Sequence, residues 1–432
     1  MSQTTVPTGS ALAVKEESVA LFAVTQRAPT LMRNLTGPAP SQADAETKIQ
    51  AQTSPDMPIV RVTNLAKSQG DEVTIDLFNV TGGFPIMGDQ NAEGKGQPLT
   101  TSSQTAKIDQ YTYVVDAGGK MAQQRTRWSL RGVARANQRG YWKRLETQLC
   151  YTHLAGARGS QAGIDWAVPK QFTSGTTVNP DFAPIVVNSV LAPTYNRHYV
   201  ANAAGLTQGG LQLGAISSTD VMKLEHLDEL RAIIEDAEVQ INPVKIEDDP
   251  AAEDEPMWLF LCTRRAWKQV ESNTSGLVWR TFLQNAWNRA SHGSKHPLFK
   301  GEAGMWNNIL VKPVSRAIRF LPGENAKVIL VANRYTATES DQTVNAGLGA
   351  GKAVDRCLLL GAQALANVYG RNQGSDYYFA WHEREYNFGN NLEVAGRMMG
   401  GKTKVRFSIP DGLGNNEPTD FGVFAVDVAV SL

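Results

Sequence analysis

Residues 121–155 read MAQQRTRWSLRGVARANQRGYWKRLETQLCYTHLA. Leu130, Ala134, Tyr141, Leu145, Leu149 and Thr152 recur at three- and four-residue steps, the repeat of one helix face. The spacing predicts a helix from about Met121 to Ala155, roughly 50 Å long at about 1.5 Å per residue. Gly132 and Gly140 each weaken it by about 1 kcal/mol relative to alanine. Gly156 and Gly159 stand where a helix C-terminus favours left-handed residues. The cations of the stretch are ordered too: Arg127, Arg131, Arg135, Arg139 and Lys143 follow one another at steps of four. Like charges so spaced repel by a few tenths of a kcal/mol per pair. A solvated face tolerates that; otherwise the stripe meets carboxylates, or the phosphates of a nucleic acid without reading its bases.

Upstream the pattern is β. Pro58–Thr63 and Asp71–Leu77 alternate, with Val73, Ile75 and Leu77 on one face. A glycine-rich stretch follows (Gly82, Gly83, Gly88, Gly94, Gly96), then β-rich Lys107–Val115. Two strand regions joined by a long glycine-rich tip predict an extended β-finger with a flexible hinge at its tip. Its sides have no evident cover within the chain, so neighbouring chains are expected to supply it. Residues 1–57, rich in Ser, Thr, Pro, Ala and Gln, bury little alone and read as an arm, with one short helical candidate near Glu16–Gln26.

Downstream, residues 160–217 are rich in Gly, Pro, Asn and Thr and read as a loop-rich insertion. Thr219 or Asp220 is expected to cap a helix reaching Val239, with Val221, Leu224, Leu227, Leu230 and Ile234 on one face. A buried strand over Met257–Cys262, a helix over Leu277–Ala290, strands at Ile309–Lys312 and Val328–Ala332, and a helix over Asp355–Tyr369 follow. Strands near Lys404–Ile409 and Gly422–Val430 close the chain. The class is α+β, and 432 residues are enough for two or three cores.

Equal numbers of basic and acidic residues, 42 each, argue against a dedicated nucleic-acid binder. The balance hides segregation: residues 120–144 carry eight cations and no acid, residues 225–255 twelve acids against Arg231 and Lys245. Such segments suggest pairing within or between subunits, which sets register more than affinity. Cys150, Cys262 and Cys357 are far apart and read as buried small hydrophobes in a reducing compartment. With no signal-type N-terminus and no apolar run near the roughly 18 residues of a membrane span, a soluble chain made in the cytoplasm is expected, with no membrane partner.

Catalytic patterns are weak. Gly396-Arg-Met-Met-Gly-Gly-Lys402-Thr403 matches the phosphate-binding loop, and Val423–Asp427 resembles its acidic strand. Yet such a loop must open a helix, and Lys404–Ile409 reads as a strand. A glycine-rich strand connection is the preferred reading, with a nucleotide-driven packaging ATPase as the alternative. His292 and His296 flank a Gly and precede Pro297, and His382-Glu383-Arg384-Glu385 lacks a second histidine at ligand spacing. No catalytic residue, cofactor or metal site is assigned.

Long phrases carry a resemblance. TSPDMPIVRVTNLAK (53–67), FNVTGGFPIMGDQNAEGKG (78–96), DQYTYVVDAGGKMAQQRT (109–126), VARANQRGYWKRLETQ (133–148) and HLAGARG (153–159) are of this kind. LAPTYNRHY (191–199), PLFKGEAGMWNNILV (297–311) and CLLLGAQALA (357–366) continue the series. Together they resemble the major coat proteins of tailed bacteriophages, nearest to those of the large podophages that package an RNA polymerase in the virion. The resemblance implies an N-terminal arm (1–57), an E-loop (58–116), a spine-helix region (117–159) and the insertion (160–217). It further implies a peripheral domain with the start of the axial domain (218–330), then the axial domain with strands returning to the periphery (331–432). It implies hexamers and pentamers tiling an icosahedral head around double-stranded DNA. A scaffolding protein, a portal and a decoration protein are the further candidate partners. A minor or decoration head component is the remaining alternative.

Overall fold

The computed structural model describes residues 35–36, 56–62, 70–78, 85–88, 91, 93–96, 99–126, 129–174, 176–237, 239–244, 256–282, 284, 304–314, 318–370, 379–410 and 415–432. The helix expected near Glu16–Gln26 lies outside them.

Two sheets organise the body. The larger has eight strands: β7 (His198–Asn202), β8 (Gly205–Gln208), β9 (Trp258–Thr263), β10 (Gly304–Trp306), β11 (Ile309–Val314), β12 (Ile318–Phe320), β15 (Lys352–Leu360) and β21 (Val423–Ser431). Their order is β10-β11-β9-β15-β21-β7-β8, with β12 also on β15. Both faces are covered. Val354, Leu358 and Leu360 point into one core with Tyr151 and Leu154, while Ala353, Cys357 and Leu359 point into another with Leu227, Leu230 and Val270. Strands buried on both faces lose polar alternation and become continuous apolar runs.

That explains the principal correction. Asp355–Tyr369 is not a helix: it is β15, a turn, and β16 (Leu365–Tyr369). CLLLGAQALA satisfies a helical period only because apolar residues serve two cores, and Gly361 meets Ile241 and the Asn242 carbonyl so closely that a Cβ there would collide.

The second sheet contains β1 (Ile59–Val62), β4 (Asp109–Gly119), β16, β17 (Phe379–Tyr386) and β18 (Asn391–Lys404). The long β18 carries β4 along one edge and β17 then β16 along the other. The expected finger is therefore shorter: β1 pairs with β16 and β4 with β18, and only β2 (Glu72–Phe78) and β3 (Thr101–Lys107) form the hairpin. Smaller pairs are β5 (Phe172–Ser174) with β6 (Thr177–Val178), β13 (Asn325–Ile329) with β14 (Glu339–Thr343), and β19 (Arg406–Pro410) with β20 (Asn416–Asp420).

The long helix is divided. Helix α1 (Lys120–Arg125) stops before Ser129, whose hydroxyl accepts from the Gly132 N–H at 3.2 Å and starts α2 (Leu130–Ala155). Helix α2 is about 39 Å long and ends on Gly156 in the left-handed region. Helix α3 (Phe182–Val186) is one turn in the insertion. Helix α4 runs Glu225–Asp236, shorter than expected, because Asp220 is spent on a turn, accepting from the Ser217 N–H at 2.7 Å. Helix α5 (Arg264–Asn273), capped by Thr263, was not foreseen. Only the first part of the expected 277–290 helix is described, helical at 276–282 and 284.

Candidate assembly surfaces

The β-finger is built on alternation. Val73 faces Ala106 across the hairpin, and both are buried with Val62, Val368, Val405 and Phe407. Toward the tip that cover ends: Phe78, Met87 and Leu99 are 68%, 70% and 72% exposed. Of the tip glycines, Gly88 and Gly94 lie in the left-handed region (φ 62° and 77°) and Gly96 has open space around it. Gly82 and Gly83 lie outside the described residues.

Side chains fasten the finger to the body. Ser102 Oγ accepts from the Ser408 N–H at 2.8 Å. Gln104 Nε2 donates to the Lys404 carbonyl at 2.8 Å, and its Oε1 accepts from the Arg406 N–H at 2.7 Å. Asn188 holds both backbone groups of Lys107, at 2.8 Å each. Val187, just before it, has φ 63° and ψ −65°, a strained conformation for a β-branched residue. The sequence reading missed these clasps, because an amide in a loop-rich segment carries no period.

The cationic stripe is partly spent within the chain. Arg131 donates to Glu383 from Nε and Nη2 at 2.9 and 2.6 Å, and Arg135 does so at 3.2 and 3.0 Å. Trp381 Nε1 donates to the same carboxylate at 3.2 Å. Burial pushes the Glu383 carboxyl up, but the donors from Arg131, Trp381 and Arg135 outweigh it and hold it below its ordinary value. An acid facing the stripe thus comes from β17. Arg139 and Lys143 continue the line, each partly exposed, and Arg127 lies outside the described residues.

The phosphate-loop match dissolves into packing. All eight residues Gly396–Thr403 lie inside strand β18, not in a loop before a helix. A Cβ at Gly396 would collide with Trp142 Nε1, and one at Gly401 with the Lys107 carbonyl. These glycines admit α2 and the finger root to the strand. Gln138 completes the contact, donating to the Tyr113 and Val394 carbonyls at 2.7 and 2.9 Å. Lys402 is buried on Glu146 at 3.0 Å, where no phosphate can reach it. Asp427 pairs with Arg356, directly across from it, at 2.7 Å and with His198 at 2.6 Å, all three buried. A charge inside an apolar strand run was the available signal for that cluster, since buried charges are paired.

The three cysteines are free and buried, and burial pushes the Cys150 and Cys262 thiols up to about 12. His292 and His296 lie outside the described residues, among which no cluster has the donors to hold a metal ion. No described helix is long and apolar enough to cross a membrane.

The geometry offers no reactive centre among the described residues: its distinctive features are a projecting finger, clasps at its root and a cationic helix face. No curated protein sequence matches the chain. Among solved structures the fold is similar to the capsid of Ralstonia phage GP4, with TM-score 0.66, 23% identity, and 88% of this chain covering 89% of that one. It is also similar to the Cyanophage Pam1 capsid, with TM-score 0.58, 16% identity and coverage of 88% and 90%. The capsid of Helicobacter pylori bacteriophage KHP30 follows at TM-score 0.53, 11% identity and coverage of 88% and 89%. The architecture is that of tailed-phage capsid proteins, and the profile of the phage capsid protein family matches residues 5–432, so the chain belongs to that family and is a structural protein of the phage head.

Proposed function

We propose that this chain is the repeating tile of its head, assembling as hexamers and pentamers around double-stranded DNA. Scaffold and portal are its assembly partners, and a podophage that packages an RNA polymerase is its source. The observation that carries the reading is the finger: a two-stranded hairpin exposes Phe78, Met87 and Leu99 beyond the body that covers its root. Apolar side chains so displayed gain only by covering another surface. On this reading residues 58–116 overlie an adjacent subunit, with the glycines between Gly82 and Gly96 adjusting the tip to slightly different neighbours. Residues 1–57 reach under another. Arg139 and Lys143, with whatever charge Glu383 leaves on Arg131 and Arg135, face packaged DNA or a neighbour. The partition into peripheral (218–330) and axial (331–432) parts belongs to the same proposal.

Deleting residues 82–96 tests it. Phe78 pairs with Thr101 as the last hairpin rung, so residues 79–81 and 97–100 remain to close the turn. The expected product is a folded subunit that forms no shells by electron microscopy. Normal shells from the deletion would remove the role given to the finger. A nucleotide-binding subunit would instead favour the packaging ATPase.

A further inference from the structure

Arg197 carries a buried charge that the chain does not answer. The residue is 2% exposed, with its guanidinium over the Phe424 ring at 4.4 Å. Its Nη2 donates to the Val239 carbonyl, while Nε, equally buried, has no partner among the described residues. Burial pushes the group down to about 10, so it stays cationic at neutral pH. The nearby Asp420 is taken by Lys404 and Arg406, at 2.6 and 2.8 Å. Other buried cations are answered: Arg356 lies on Asp427, and Lys402 on Glu146. Arg158 has no carboxylate either, but its Nε, Nη1 and Nη2 all donate, to the carbonyls of Val168, Gly159 and Gln161. A buried charge left unpaired is costly, and an orphan donor beside it calls for an unseen acceptor.

Space for that acceptor lies beside it. Arg197 lines a cavity of about 380 Å³ bounded by the turn before β7, the C-terminal end of α4 and the β19–β20 hairpin. Ile233 and Ile409 form apolar wall, Arg334 adds a second cation, and Asp236 and Glu417 add two acids, neither of which pairs with Arg197. Apolar walls around a few polar groups, at this volume, are the usual make-up of a small-ligand site. A guanidinium with an N–H to spare matches the planar oxygens of a carboxylate. The two acids oppose any further negative charge on the ligand, and the two isoleucines suit a short hydrocarbon tail. We propose that this cavity binds a small aliphatic monocarboxylate, its oxygens on Arg197 and its tail against Ile233 and Ile409. The site lies within one chain, so the proposal does not depend on how copies assemble.

Butyrate is the probe. Titrated into the unassembled subunit, it should bind saturably at one site per chain and raise the melting temperature, while inorganic phosphate at the same concentrations does neither. Arg197→Gln should weaken butyrate binding about tenfold or more. Without ligand the variant should melt close to the wild type, because removing an uncompensated buried charge offsets the lost contacts to Val239 and Phe424. If that variant does not fold, the wild type decides alone: a diazirine analogue of butyrate, irradiated in the complex, should label a peptide carrying Ile233 or Ile409, and excess butyrate should suppress the labelling. Assembled particles should bind butyrate as the subunit does. Loss of binding on assembly would place a carboxylate of another copy on Arg197 and overturn the free-ligand assignment. Absence of saturable binding, equal binding of phosphate, unchanged affinity in Arg197→Gln, or labelling of other peptides also overturns it. None of these results touches the tile reading, which stands or falls on shell formation.

Discussion

The carboxamide of Asn188 occupies both backbone groups of Lys107, accepting from its N–H and donating to its carbonyl at 2.8 Å each. It acts as a one-residue strand at the point where the finger becomes body. The next residue's N–H, that of Ile108, is held by the Asp71 carbonyl at 2.9 Å, so hairpin and body divide the root between them.

Asn188→Ala removes two hydrogen bonds and should cost about 1–3 kcal/mol, read as a lower denaturation midpoint of the unassembled subunit. Hydrogen exchange at the Lys107 amide should accelerate while the β2–β3 amides stay protected. Equal acceleration across the hairpin would mean that the clasp supports the whole finger and not its root.

Lys402→Ala separates the structural from the nucleotide reading of the glycine-rich match. Glu146 would be left buried without its cation, which costs about 3–5 kcal/mol. The wild-type subunit should show no ATP binding by calorimetry. Replacing both partners, Lys402→Met with Glu146→Leu, should recover most of the lost stability, because a packed apolar pair carries no desolvation penalty. No recovery would mean that the Tyr369 hydroxyl, 3.4 Å from Glu146, depends on the carboxylate.

What was legible in the sequence follows the same physics. Helix α2 was readable because Ala134, Gln138, Trp142 and Leu145 bury one face while Arg131, Arg135 and Arg139 stay outside it. The finger was readable because Val73, Ile75 and Leu77 alternate, but its limits were not: Lys107–Val115 looks like one strand and is divided at Ile108 between two sheets. Asp355–Tyr369 misled because a strand between two cores has no polar face to show its period. The clasps of Ser102, Gln104 and Asn188 are contacts between distant segments, which local pattern cannot contain. For Arg131 and Arg135 a carboxylate partner proved to be Glu383, more than 240 residues away in sequence, where no local pattern points to it.

Glu383→Gln probes that stripe. Arg131 and Arg135 are 44% and 30% exposed at their side chains, so losing the shared carboxylate should cost only about 1 kcal/mol. The charge it leaves uncompensated is one full positive unit on the helix face. If that face meets DNA, the salt dependence of duplex binding by the unassembled subunit should steepen by about 0.9 in log K against log salt. An unchanged slope would direct the stripe toward a neighbouring subunit.

On acidification the histidines should weaken the subunit first. His153 is buried with its Nε2 3.3 Å from the Val186 carbonyl, and burial, then the Lys402 charge, hold it down at about 3. His198 and His226 are also lowered, each chiefly by burial. A histidine lowered in the folded state takes up its proton first in the unfolded chain, so stability is full above about pH 6.5 and falls as pH drops below it. His153, held at about 3 in the folded state, contributes about 1.4 kcal/mol per pH unit across this window. Asp420 and Asp427 are depressed carboxylates, for which the cations beside them outweigh burial. Their contribution is intact above about pH 4 and that of Glu383 above about pH 5, so urea midpoints between pH 7.5 and about 5.5 isolate the histidines. His153→Gln keeps a donor for the Val186 carbonyl without a titrating ring, and its stability should decline more shallowly by one proton's slope. Parallel wild-type and variant curves would show that the folded core already accepts the proton on His153.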